Sequence, residues 1–170
     1  MNWDPLSARR MRIRSWTALF QEIGLIFWNT SWSKAGMFEG HYTPEGVANI
    51  YLGPEERRFT KILSSFSARL DASVPSTIRV SLPDQARGYG LLGDTVSAAY
   101  IHHFGDHSSV LQNLTVEIDV PRTRGPWTGE WIDPATGRVI ERFGLPPARR
   151  IMLLVPPFNI DIDMLVVPQS

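Results

Sequence analysis

The chain has 170 residues, 43% of them hydrophobic and 20% charged, with 17 basic and 17 acidic side chains and a formal net charge of zero. That is the composition of a globular protein of one ordinary domain, or of a small domain plus a fragment, and the balanced charge gives no electrostatic argument for nucleic acid or a membrane surface as partner. The lack of cysteine excludes disulfides, thiolate metal sites and a cysteine nucleophile and leaves the compartment unassigned, and no apolar run approaches the roughly 20 residues of a membrane span.

The first predicted element is a helix over residues 5–22. Asp4 caps it, Pro5 takes the first helical position, and Ser7 is a rival cap one turn on. Leu6, Ile13, Trp16, Leu19, Phe20 and Ile23 recur at helical spacing, and Arg9, Arg10, Arg12 and Arg14 read as a solvated opposite face. Arginines before an apolar stretch imitate a signal peptide, but Gln21 and Glu22 interrupt the stretch and no small-residue cleavage site follows. Next, Ile23, Leu25, Ile26 and Phe27 make a short, nearly continuous apolar run that ends in Trp28. Such a run predicts a strand over 24–28 buried on both faces, as in a parallel sheet covered by helices.

Residues 34–53 carry Gly36, Gly40, Gly46 and Gly53 without an apolar period and read as a long loop. Pro54, Glu55 and Glu56 then open a helix over 54–70, with Phe59, Ile62, Leu63, Phe66 and Leu70 on one stripe. Residues 71–75 read as a domain boundary. From Thr77 the period changes to two: Ile78, Val80 and Leu82; Leu114, Val116, Ile118 and Val120; Ile160, Ile162, Met164 and Val166. With 88–92, 95–104, 127–132, 138–143 and 149–155 this makes about eight strands without intervening helices, the pattern of an antiparallel sandwich. Asp133-Pro-Ala-Thr-Gly137 joins two of them, with proline at a type I turn position and Gly137 free to take positive φ.

Trp28, Asn29 and Trp32 are the candidate substrate-binding residues. An indole just past a strand end offers a plane for the C–H face of a sugar, and an amide bonds hydroxyls in two directions. The alternative is that the tryptophans, six in all, are core residues. His102 and His103 are adjacent on a strand, point to opposite faces and cannot chelate together; with His107 they read as structural. Asp161 and Asp163 share one strand face, but no further oxygen ligands are assignable for a cation. Glycosidic acid–base chemistry needs two carboxyls about 5–10 Å apart. None of Asp4, Glu22, Glu39, Glu45, Glu55 and Glu56 ends a predicted strand, so no catalytic residue, metal or cofactor is assigned.

Two segments resemble a known family. Asn2-Trp-Asp-Pro5, the helix after it and Gly24-Leu-Ile-Phe-Trp28 are similar to the end of a retaining (β/α)₈ glycoside hydrolase of the cellulase-like superfamily, with 48–53 and the second helix as the last barrel elements. Gly129-Glu-Trp-Ile-Asp-Pro-Ala-Thr-Gly137, then 151–155 and Pro156-Pro-Phe-Asn-Ile-Asp161, resemble the C-terminal β-sandwich that follows such barrels. The resemblance implies an α+β chain: residues 1–74 as a helix–strand–helix fragment of a barrel, and 75–170 as a β-sandwich domain. Trp28 matches the family's sugar-stacking tryptophan, so carbohydrate is the implied partner. The acid/base and nucleophile glutamates precede the matching region, so the chain by itself is expected to be inactive. The open edge of strand 24–28 is expected to find cover in a missing N-terminal barrel portion, in the sandwich or in a second copy. A non-enzymatic sandwich module that binds carbohydrate or protein is the alternative.

Overall fold

The computed structural model describes residues 5–25, 53–105, 107–121 and 126–169. Among the described residues, helices α1 (Pro5–Phe20) and α2 (Pro54–Ser67) precede nine strands: β1 (Val74–Ser76), β2 (Arg79–Val80), β3 (Ala86–Leu92), β4 (Ser97–His103), β5 (Thr115–Asp119), β6 (Trp127–Ile132), β7 (Val139–Leu145), β8 (Arg150–Leu154) and β9 (Asp161–Pro168). The strands form a six-stranded sheet, ordered β1-β3-β4-β9-β6-β7, and a three-stranded sheet, β2-β5-β8. All the pairings are antiparallel.

The period-two pattern places one core between the sheets, and the two helices add another on the outer face of the larger sheet. Ala99 and Ile101 of β4, Trp127 and Trp131 of β6, and Ile162, Met164 and Val166 of β9 point inward with Val116, Ile118 and Ile151 of the smaller sheet. The intervening residues, Ala98, Tyr100, Ile132 and Leu165, turn the other way and meet Trp16, Phe20 and Phe66 of the helices. Trp16 stacks on Tyr100 with ring centroids 5.7 Å apart and meets Phe66 edge-on at 4.8 Å. The architecture is α+β: a helix pair on an antiparallel sandwich.

The expected helix–strand–helix barrel fragment is not seen among the described residues. The helix ends earlier than its apolar spacing suggests because Glu22 adopts left-handed φ, 52°. Glu22 N donates to Leu19 O (3.2 Å) and Ile23 N to Ala18 O (3.1 Å), the paired bonds of a Schellman closure. Ile23 thus belongs to the helix cap; it is 60% exposed, and Leu25 is exposed as well. Residues 26–28 lie outside the described residues. The apolar stripes of both helices pack on the sandwich's own sheet.

The second helix begins as expected, at Gly53-Pro54 with Glu55 and Glu56 in its first turn. It gives way after Ser67 to tighter bonds, Arg69 N to Phe66 O (2.9 Å) and Leu70 N to Ser67 O (3.1 Å). Residues 71–75 run into β1, an edge strand of the larger sheet, and an edge is where a proline such as Pro75 is tolerated. The hairpin between β6 and β7 has the turn the sequence implies. Gly137 has φ 72°, its N–H donates to Asp133 O (2.7 Å), and the Asp133 carboxylate accepts from Ala135 N (2.8 Å) and Thr136 Oγ1 (2.7 Å). In β6, Gly129 is required by close approach: a Cβ there would stand 2.2 Å from the Phe143 ring.

Candidate functional site

Trp28, Asn29 and Trp32 lie outside the described residues. Of the other tryptophans, Trp16, Trp127 and Trp131 are core residues. The densest polar constellation among the described residues lies elsewhere, where α1 crosses β4 and β9.

Arg12 does not lie on the solvated face that the basic run predicts: it is 4% exposed, whereas Arg10 and Arg14 are exposed. Its Nε donates to Asp161 Oδ2 (2.9 Å) and its Nη2 to Asp161 Oδ1 (2.6 Å), a bidentate pair of the geometry arginine favours. Tyr100 OH donates to Asp161 Oδ2 (3.2 Å), and the guanidinium carbon stands 4.8 Å from the centroid of the Phe59 ring. Burial raises Asp161 above the usual carboxylate range, while the Arg12 charge and its hydrogen bonds pull the other way. Burial, reinforced by the negative charge of Asp161, pushes the Tyr100 phenol well up, so it stays a donor. Asp163 lies two residues along the same face of β9, directly across from Tyr100. The sequence places both aspartates on one face; it gives no sign that α1 lies over them, because Arg12 and Asp161 are 149 positions apart.

The outer side of this ion pair opens into a cleft of about 600 Å³ lined by Arg12 and Asp161, by Asp133, Thr136 and Arg138 of the hairpin, and by Asn159 before β9. Both of its carboxylates are engaged: Asp161 with Arg12 and Tyr100, and Asp133 with its own turn. A nucleophile or general acid needs a lone pair or proton free to reach substrate. The cleft presents hydrogen-bonding groups along its lining. A second depression, of about 460 Å³, lies at the end of α1 beside Glu22, Ile23, Gly24, Leu70 and Asp71.

Other titratable groups serve the fold. Glu130 on β6 accepts from Arg69 Nη2 (2.6 Å) and Arg142 Nε (2.9 Å). Burial pulls it upward, but those bonds outweigh the burial and hold it below its ordinary value. His102 stacks on Tyr89 and Tyr100, and burial lowers its pKa; His103, on the opposite face, has Nδ1 3.2 Å from Asn159 O. Among the described residues, no group of three or more His, Asp or Glu side chains is arranged to hold a metal ion.

No protein-family model matches the chain, and no curated protein matches it. Among solved structures, it is similar over 55% of its length to alpha-L-fucosidase isoenzyme 2 from Paenibacillus thiaminolyticus, at 13% identity and a TM-score of 0.39. The chain spans 16% of that protein's length. A likeness at this level establishes neither a shared family nor a shared activity.

Proposed function

We propose that the chain is the C-terminal, non-catalytic portion of a glycoside hydrolase, an accessory β-sandwich that works beside a carbohydrate-binding cleft. The supporting observation is the fate of the two segments that resemble the family's sandwich. Residues 129–137 run from β6 into the turn before β7, and 151–161 run through β8 to the start of β9, within antiparallel sheets. The engaged carboxylates of the cleft support a role in binding over one in turnover. In this reading Trp28 stacks on a sugar, and Asn29 and Trp32 complete the polar and apolar contacts around it.

The test is direct. The purified chain is expected to leave aryl glycosides intact and to retard in gels cast with soluble polysaccharide, and Trp28→Ala is expected to abolish the retardation. Hydrolysis that a substitution within this chain eliminates would overturn the proposal. The second reading is a free-standing module that binds carbohydrate or protein through the sandwich, and the polar cleft beside the hairpin favours it. Retardation that survives Trp28→Ala but is lost in Arg138→Ala would select that reading. A coding sequence for a barrel joined upstream of Met1 would select the first.

A further inference from the structure

We propose that α1 is latched to the six-stranded sheet by the uncharged form of Asp163, so that loss of its proton releases the helix. Asp163 has 0% exposure, and neither carboxyl oxygen has a hydrogen-bond partner. The Met164 amide is near enough to favour the charged form, but its geometry is too poor for a hydrogen bond. The Trp16 Nε1–H, in the cluster that contains Asp163's ladder partners Tyr100 and Ile132, is also enclosed without a partner. A bare carboxylate in such a place is far more costly than a neutral acid.

The surrounding charges make Asp163 the proton holder. On its own strand it faces Asp161, and across the ladder lie Tyr100 and His102 of β4 and Ile132 of β6, with Glu130 farther along. From α1 come Trp16 and Arg12; α2 presents Ile62, Leu63 and Phe66. Arg12 is committed at both nitrogens to Asp161, and Arg69 and Arg142 to Glu130. Two buried carboxyls thus share one cation, and the one without hydrogen bonds keeps the proton. Burial first, then the charge of Asp161, raises Asp163 well above its ordinary 3.8. Ionisation would place a second negative charge between Tyr100 and Ile132, in the layer that Trp16 and Phe20 of α1 cover.

The sign follows from linkage. Below 3.8 both folded and unfolded chains carry the proton. As pH rises the unfolded chain loses it first, so this group's contribution to stability falls, up to tenfold in the folding constant per pH unit, until the folded chain ionises too. His102, lowered by burial, and Glu130, lowered on balance, tilt stability the opposite way and cancel in a difference between two proteins; Asp161, raised and coupled to Asp163, tilts it the same way, and the site-resolved titration assigns the proton within the pair.

The experiment compares the full chain with Asp163→Asn, a neutral isostere, by urea unfolding across pH. The wild-type folding constant is expected to fall relative to the variant's as pH rises above 3.8. Carbon-detected NMR of the wild type is expected to give Asp163 the shift of an acid at pH values where exposed carboxyls have already ionised. As that resonance titrates, protection factors in α1 are expected to drop while those in β4 and β9 persist. Parallel stability curves, an ionised Asp163 beneath a protected α1, or simultaneous loss of protection in α1 and the sheet would each overturn the latch. Should Asp163→Asn not fold, the wild-type titration and protection factors decide alone.

Discussion

Arg12 ties the first helix to the sheet through a buried ion pair. Its guanidinium lies between Asp161 and the Phe59 ring, out of water. A buried pair is no stronger than a well-packed apolar substitute, but breaking one by removing a single partner leaves an uncompensated charge. Arg12→Leu is therefore expected to cost about 3–5 kcal/mol, measured by urea unfolding at neutral pH. Replacing both partners in Arg12→Leu/Asp161→Leu should recover much of that loss. A single-variant cost below about 1 kcal/mol would mean that Asp161 escapes to water when its partner goes.

At the scale of elements, the end of α1 is where strain is visible. Glu22 takes the left-handed conformation that closes the helix, a position that glycine occupies without steric penalty. Its side chain is exposed and no hydrogen bond holds it there, so the preference of the backbone alone decides the effect of a change. Glu22→Gly is expected to stabilise the chain by about 0.5–1 kcal/mol: relief of the left-handed strain less the entropy glycine adds to the unfolded state. A shift of the urea midpoint upward at unchanged slope is the signature; a downward shift would mean that Glu22 makes a favourable interaction in solution. The β6–β7 hairpin is closed at the corresponding place by Gly137, without that strain.

At the scale of the molecule, the six-stranded sheet has two covered faces. One belongs to the inter-sheet core, which residues 75–170 supply nearly in full. The other belongs to the helices, and without them Tyr100, Leu91, Ile132 and Leu165 lose their cover. Each such side chain gains roughly 1.5–3 kcal/mol from full burial, so the bare face is a strongly apolar patch. Residues 75–170 expressed alone are expected to give the dispersed amide spectrum of a folded sandwich and to self-associate in sedimentation. A clean monomer of unchanged stability would assign the helices no part in covering the sheet.

The local pattern by itself determined the antiparallel sandwich. Alternation at Leu114 to Val120 and at Ile160 to Val166, and the Asp133–Gly137 turn, act over a few residues and dictate strand, face and reversal there. It also determined the apolar side of α2, where Phe59 and Phe66 fall together, and put Trp16 and Phe20 of α1 one turn apart on one side at 3.6 residues per turn. It did not determine what those sides cover. An apolar stripe fits a parallel barrel strand as well as the back of an antiparallel sheet, because burial of apolar area has no direction of its own. The choice was made by contacts that no local pattern contains: Arg12 with Asp161, Arg69 with Glu130, and Trp16 on Tyr100. For the same reason an arginine within a basic run reads as solvated until its carboxylate arrives from the far end of the chain. Likewise Ile23, apolar and next to an apolar run, became an exposed helix cap once Glu22 had turned the backbone.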